Sequence, residues 1–579
     1  MEGGARAISE SPFRWLVAVG IILAGVAAYV NTLDGEWVWD DASSVLLHQH
    51  VQDPAKLFQL FREDQHAFGQ GQGNFYRPLV SASFMLDFLW SYEPGQETGS
   101  KTSYPDIKPL LFHVTNMLWH IAAALLLFAL LTLLDAPRLV RAAVPMIYVL
   151  HPLHTEAVAY ISGRADMMSA AFMFGGLWFA LRAETAARPA PSWVASGACF
   201  CGALLSKESA FVYPLLLGLL LFLRPRPETD GENRQAGYAR RMAPLAIAVV
   251  IMAGYAGLRM TVLKFADAGS GPASPLGQRL VETGQAFAFY IRVLFLPFGL
   301  HMEQTLTGTP RWTALVGLLL LLACGAVVAV SLKKGQRRIA MGMGWFLITW
   351  LPISGLFPLN APMAEHWMYV PMAGFWWALA ELVWLGCERR PVVRRVALTG
   401  AYALGLFFLV LTVQRNQDWH SNERLFRATL AQNPATTRVH YNLAVTYEDL
   451  LGNLPGARRH YEALLQLYDA QKRREARPGE ETRRAVLPEE VDVHLSLGRV
   501  LRRQGEYLAA VEHLSPVMGL ARSEQFRAHS GAAALEMGKC LLALGEAARA
   551  DACFRQALAI DPGQVEEVEA LLAGARLRD

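Results

Sequence analysis

The sequence predicts an all-α protein in two parts: a polytopic helical bundle in a membrane, then an array of paired helices. Three observations carry this expectation. Mean hydropathy is +0.23, with 53% hydrophobic and only 18% charged residues, too apolar for an ordinary soluble enzyme; at 579 residues the chain is also too long for one domain. Apolar runs long enough to cross a bilayer recur until residue 414 and then stop. Beyond that point the pattern changes to amphipathic stretches with small residues at recurring offsets.

The first run, Phe13 to Leu33, begins with aromatics and reads as a retained signal anchor, not a cleaved leader. Further candidate spans are 112–134, 140–157, 166–184, 191–206, 209–223, 243–263, 312–332, 340–359, 367–386 and 396–414, which makes about eleven crossings. The Arg- and Lys-dense connectors "RPRPETDGENRQAGYARR", "KKGQRR" and "ERRPVVRR" belong on the cytoplasmic side. An odd number of crossings leaves the carboxyl terminus on the other side. Residues 280–300, "LVETGQAFAFYIRVLFLPFGL", would reverse the side of "KKGQRR" if they crossed, so a re-entrant or interface-lying helix is expected there. On this topology the segments 34–111, 158–165, the Lys207 turn, 264–311, 360–366 and everything after 415 are extracytoplasmic. The expected domains are therefore 1–414, with a first external loop at 34–111, and 415–579.

The net charge of +3 provides no basic field for nucleic acid, and no Gly-rich phosphate loop is present for a nucleotide. The six cysteines show no metal-site spacing; Cys540 and Cys553 could face each other across a helical hairpin, and an unpaired state is the expectation. His151 and His154 lie near Glu156 without a second ligand cluster, so no metal and no cofactor is expected.

Ionised side chains at membrane depth cost several kcal/mol unless paired or wetted, and therefore mark function. Lys207 and Glu208 divide the apolar stretch Ala190 to Leu223. Arg259 sits late in its span. Glu156, Arg164 and Asp166 bracket a turn in "HPLHTEAVAYISGRADMMSA", with His154 beside them. The segment "EWVWDDASSV" places Asp40 and Asp41 after Trp37 and Trp39, where the chain leaves the first span. Two adjacent carboxylates repel and raise the proton affinity of one of them, and shelter by tryptophan acts the same way. A carboxylate tuned so can take a proton from a hydroxyl. An aspartate capping a helix at "ASSVLLHQ" is the structural alternative.

In the tail, "HYNLAVTYEDLLGNLPGARRHYEALLQL", "VHLSLGRVLRRQGEYLAAVEHLSPVM" and "ALEMGKCLLALGEAARADACFRQALAIDPG" share small residues, a "G-E" or "G-N" break and a second apolar helix. The pattern resembles the tetratricopeptide repeat, best in the third copy at Gly538, Leu541, Gly545, Ala550, Phe554, Ala557 and Pro562. Charged insertions such as "AQKRREARPGEETRRAVLPEE" stretch the spacing. Such arrays offer a surface for binding protein.

The motifs "WVWDDASSVLLHQHVQ", "FYRPLVSASFMLDF", "FHVTNMLWHIAAALLLF", "HPLHTEAVAYISGRADMMSAAF", "SKESA", "AEHWMYVPMAGF" and "NQDWHSNERLFRATLAQNPATTRVHYNLA" occur in the order found in the transmembrane and tetratricopeptide-repeat-containing family. The resemblance covers nearly the whole chain. That family is similar to the protein O-mannosyltransferases, with the membrane fold of C-class (GT-C) lipid-dependent glycosyltransferases. The resemblance implies transfer of mannose from a dolichyl or other polyprenyl phosphate to Ser or Thr of a protein acceptor, with membrane lipid around the site. It implies Asp40 as catalytic base with Asp41 as its partner, and Arg77 and Arg164 near the donor. Glu365 matches the Glu of a family "AER" motif in which His366 here replaces the Arg; Lys207, Arg259, Arg279 and Arg292 are then the cations available to a phosphate. The membrane half alone leaves a lipid or glycan acceptor open, as well as a non-catalytic membrane-anchored repeat scaffold. Abundant Ala and an excess of Arg over Lys suggest a bacterial cytoplasmic membrane with a periplasmic site, for which an endoplasmic reticulum lumen is the equivalent.

Overall fold

The computed structural model describes residues 2–68, 74–92, 107–225, 234–263, 275–306, 308–357, 359, 361–475 and 488–576. Among these residues the secondary structure is helical, with no strand. The chain divides into two compact units, Met1–Leu425 and Phe426–Asp579, a division that falls beyond the last apolar run.

The first unit contains α1 (Glu2–Tyr29), α2 (Pro78–Ser91), α3 (Leu110–Leu133), α4 (Arg138–Leu150), α5 (Thr155–Val158), α6 (Arg164–Arg182) and α7 (Ala190–Leu204). It continues with α8 (Tyr213–Leu223), α9 (Arg234–Thr261), α10 (Leu276–Phe295), α11 (Trp312–Lys333), α12 (Arg337–Trp350), α13 (Pro371–Cys387) and α14 (Pro391–Asn416). Among the described residues five segments are long and apolar enough to cross a membrane: Ser11–Thr32, Leu110–Leu133, Gly237–Thr261, Trp312–Lys333 and Pro391–Trp419. The other expected spans form shorter helices, from 11 residues in α8 to 19 in α6. Prolines set several of their ends, with Pro152 just past α4 and Pro371 opening α13, because proline lacks the N–H that a continuing helix needs. Helix length therefore does not fix the expected count of about eleven.

Small residues let these helices approach closely, as packing within a bilayer requires. A Cβ on Gly374 would press on the Gly342 carbonyl, so α12 and α13 touch backbone to backbone; Gly284 and Gly317 do the same for α10 and α11. The core between the helices holds Tyr148, Tyr213, Trp345, Tyr369 and Trp377, all buried. Helix α10 occupies most of the 280–300 run. Near its start Arg279 donates to the Leu356 carbonyl (2.7 Å), and near its end the Leu294 carbonyl accepts from His151 (3.0 Å). Both partners stand at the end of the bundle where α4 and α12 finish, so α10 lies across that end.

Helix α15 (Asn422–Gln432) runs through the division. The second unit then pairs α16 (Thr437–Val445) with α17 (Leu454–Glu475), α18 (Pro488–Arg503) with α19 (Tyr507–Met518), and α20 (Arg527–Ala543) with α21 (Ala547–Ile560), before α22 (Val565–Arg576). Gly498 faces Leu514 and Gly538 faces Phe554, so the last two pairs cross where one partner has no side chain. Cys540 and Cys553 are buried free thiols. Part of the charged insertion after α17 lies outside the described residues.

Candidate active site

The loop after α1 is fixed by its own backbone. Glu36 N–H donates to the His420 carbonyl (2.8 Å) and Trp39 N–H to Asn422 Oδ1 (2.9 Å). Trp39 adopts φ +51°, a left-handed conformation that a bulky residue holds only when its surroundings impose it. Here its ring stacks on Tyr160 at 5.7 Å. The kink turns the next two residues in different directions.

Asp41 is fully buried. Its Oδ2 accepts from Val38 N–H (3.1 Å), and its Oδ1 accepts from both the N–H and the hydroxyl of Ser162 (2.8 Å each). It therefore ties the first loop to the turn before α6. Burial raises its carboxyl to about 7 against these three hydrogen bonds, and the charge of Asp40 adds the smallest contribution. Of the two expected causes, shelter from water outweighs repulsion between the neighbours. Asp40 is half-buried and faces Tyr160, whose hydroxyl interacts with Asp40 and Ser162. Of the doublet, Asp40 has the more accessible carboxylate. The Asp41 side chain does not cap the helix that follows.

A polar track leads away from Asp40. The Ser43 and Ser44 hydroxyls meet His66 Nδ1 at 3.1 and 3.2 Å. Burial and then the Arg77 charge hold His66 down at about 4, so the ring is neutral at pH 7. Next to it Asp64 accepts from Phe75 and His66 N–H groups, within the fields of Arg77 and Arg259. Arg77 makes a two-pronged pair with Glu208 (2.9 and 3.2 Å) and lies over the Phe75 ring. Burial would raise the Glu208 carboxyl, but Arg77 and Lys207 outweigh burial and hold it low. Lys207 is buried and pairs with Asp166 at 2.6 Å. The adjacent Lys207 and Glu208 thus serve two different segments. Arg259 reaches Asn74 Oδ1 (2.5 Å) at the edge of the same group.

A second group flanks the Tyr160 turn, joined to it by Trp419, whose ring is 5.3 Å from that of Tyr160. Glu156 accepts from His366 through the ring (3.0 Å) and the backbone N–H (3.0 Å). Glu365 pairs with Arg415 (3.2 Å), and Arg415 also meets Asp418 (2.7 Å). Burial pushes Glu365 up, Arg415 opposes it and Glu156 reinforces it. Glu156, equally buried, is held low by His366. The cation that meets Glu365, next to His366, is Arg415 from the end of α14.

The remaining expected residues stand elsewhere. Arg164 is fully buried: it donates to Asn116 (2.7 Å), Ser83 (3.1 Å) and the Phe112 carbonyl (3.0 Å) and pairs with Asp87 at 2.5 Å. All its donating edges are engaged inside the protein, so it shapes the turn beneath Ser162 without facing a ligand. His154 is packed among Tyr148 and Tyr369, with ring centroids 4.5 and 4.3 Å away. Arg279 contacts Leu356, and Arg292 contacts the Phe298 carbonyl and the Phe289 ring, both on α10. Among the described residues no set of three or more His, Cys, Asp or Glu is arranged for a metal. Sequence reasoning did not single out Tyr160, Ser162, His66 or Arg415. Arg415 carried a signal, an arginine in the last turn of an apolar run, by the same rule that picked Arg259.

A family model for the tetratricopeptide repeat matches residues 409–472. Protein O-mannosyl-transferase TMTC4 of Homo sapiens is 24% identical over 515 residues, 78% of this chain and 66% of that protein. Human protein O-mannosyl-transferase TMTC1 is 26% identical over 80% of this chain and 57% of its own length. Human protein O-mannosyl-transferase TMTC3 is 21% identical over 94% and 64%. The match thus spans about two thirds or less of these relatives' length. No solved structure matches the chain. Over most of its length the chain is homologous to the TMTC protein O-mannosyl-transferases, at about 24% identity, and its tail carries a tetratricopeptide repeat.

Proposed function

We propose that this chain is a membrane glycosyltransferase that moves mannose from a polyprenyl-phosphate donor to Ser or Thr hydroxyls of a protein acceptor, on the extracytoplasmic face. The observation that carries the reading is the division of labour in the acidic doublet: Asp41 is consumed by Val38 and Ser162, which leaves Asp40 half-buried at the head of a track containing Arg77 and Arg259.

The mechanism is a single displacement. The acceptor oxygen bonds to the anomeric carbon while the bond from that carbon to the phosphate oxygen breaks, with inversion. Asp40 takes the hydroxyl proton, and the polyprenyl phosphate leaves as an anion. A base of this kind contributes roughly 10²–10⁴ in rate. In this reading Arg77 and Arg259 meet the charge on the departing phosphate, and such preorganised donors contribute about 3 kcal/mol each in a shielded site. Lys207, neutralised by Asp166, holds the Glu208 side of Arg77 in place. The mannosyl-transferase names of the relatives supply the sugar, and the repeat unit favours a polypeptide acceptor.

The test is product identification. Full-length protein in membranes is given labelled polyprenyl-phosphate mannose and folded protein acceptors. Mannose on Ser or Thr, with the anomeric configuration opposite to the donor's, is expected. Label found only in lipid or free glycan would replace the acceptor class, and retention of configuration would rule out the single displacement.

A further inference from the structure

We propose that a cavity at the end of the first unit opposite Asp40 binds a phospholipid head group carrying both a phosphate and a primary ammonium. The cavity measures about 620 Å³, in the range of sites that hold small molecules. Its depth follows from the helices through the bundle. Helix α3 starts beside the Tyr160 turn, where Asn116 donates to the Tyr160 carbonyl, and Leu134 just past its end lines the cavity. The rise from Asn116 to Leu134, at 1.5 Å per residue, is roughly 27 Å, close to the hydrocarbon thickness of a bilayer. The candidate span α11 also ends just before the cavity wall at Gly335. The opening is thus at head-group depth on the face away from Asp40.

The charges in the wall decide the occupant. Arg224 is paired with Glu184 and Arg338 with Glu381, each at 3.0 Å. Arg337, Asp135 and Glu388 also line the cavity, and among the described residues their side chains make no hydrogen bond or ion pair. One cation and two carboxylates remain. The start of α12 beside Arg337 has no acidic residue in its first turn, so its N–H groups add partial positive charge there. A phosphate fits the Arg337 side and an ammonium the carboxylate side. A primary ammonium donates hydrogen bonds to Asp135 and Glu388, which a quaternary one cannot do, and a purely anionic head group leaves both carboxylates unanswered. Trp384 and Met341 give the apolar wall that the start of an acyl chain needs.

Full-length protein in detergent is incubated separately with phosphatidylethanolamine, phosphatidylcholine and phosphatidylglycerol of identical acyl chains, and retained lipid is counted by native mass spectrometry. Phosphatidylethanolamine is expected to be retained preferentially. Arg337→Glu, the milder Arg337→Gln, and Glu388→Lys are each expected to lower that retention by roughly tenfold, the effect of one charge-assisted contact. Both side chains are exposed, so the variants should melt with the wild type, and the melting curve checks it. Equal retention of the three lipids, or retention indifferent to all three substitutions, would overturn the proposal. Displacement of the lipid by inorganic phosphate or glycerophosphoethanolamine at matching concentration would assign the cavity to a soluble phosphate, and overturn it also.

Discussion

The Asp40 end of the first unit and the outer helix faces of the second use charge in different ways. In the first, Lys207, Arg164, Glu156, Glu365 and Arg415 are buried and paired between segments far apart in the chain. In the second, pairs such as Arg555 with Asp551 and Arg458 with Glu462 join residues one helical turn apart on partly or largely exposed faces, while Glu448 and Glu490 are buried and paired across helices with Arg499 and Lys472. Desolvation makes the difference. A buried charge that loses its partner is left unpaired at low dielectric, whereas an exposed one falls back on water. Buried pairs therefore hold the Asp40 end of the first unit together, and close glycine contacts with apolar packing serve both units.

The comparison breaks most visibly at Asp40. Asp40→Asn should lower sugar transfer by roughly 10²–10⁴ while thermal stability in detergent stays near wild type, because Asp40 is only half-buried. Next in size is Arg415→Met, which leaves Glu365 buried opposite Glu156 without its cation; unfolding in denaturant should register a loss of about 3–5 kcal/mol. A shift under 1 kcal/mol would mean that the buried pairs are not what holds this end together. Gly538→Val should destabilise the second unit by about 1–3 kcal/mol, since its side chain would collide with the Phe554 ring. Smallest is Arg555→Ala, at a side chain 79% exposed, which should stay within about 0.5 kcal/mol.

A pH series sharpens the same contrast. The Asp41 carboxyl rises from 3.8 to about 7 because burial disfavours its charge. Between those values the folded protein binds more protons than the unfolded one, so stability should fall as pH rises from 4 to 7 and then level. Asp41→Asn should flatten that slope. A slope unchanged in this variant would place the titrating group elsewhere.

Much of this was legible in the sequence. The apolar runs and the glycines of the third repeat copy needed only local periodicity, and Gly538 against Phe554 is where the pattern placed a close helix crossing. The loop carrying Asp40 was legible too, because two carboxylates leaving a span are costly without a reason. Pairing was not. That Lys207 goes to Asp166 and Glu208 to Arg77 depends on which turns meet at the end of the bundle, and neighbours in sequence gave no sign that they would serve different partners. The resemblance put Arg164 near the donor, yet Asn116, Ser83 and Asp87 on two other helices enclose it. Asp41 was read as one of two repelling carboxylates sheltered by tryptophan; burial is the larger cause, and the serine 121 positions away that holds it was not foreseen.

The most direct measurement compares Asp40→Asn and Asp41→Asn in single-turnover transfer from polyprenyl-phosphate mannose, with donor binding measured alongside. If Asp40 removes the acceptor proton, Asp40→Asn loses the chemical step and keeps its affinity for donor, while Asp41→Asn retains transfer wherever the loop stays folded. Wild-type turnover by Asp40→Asn would contradict the assignment outright.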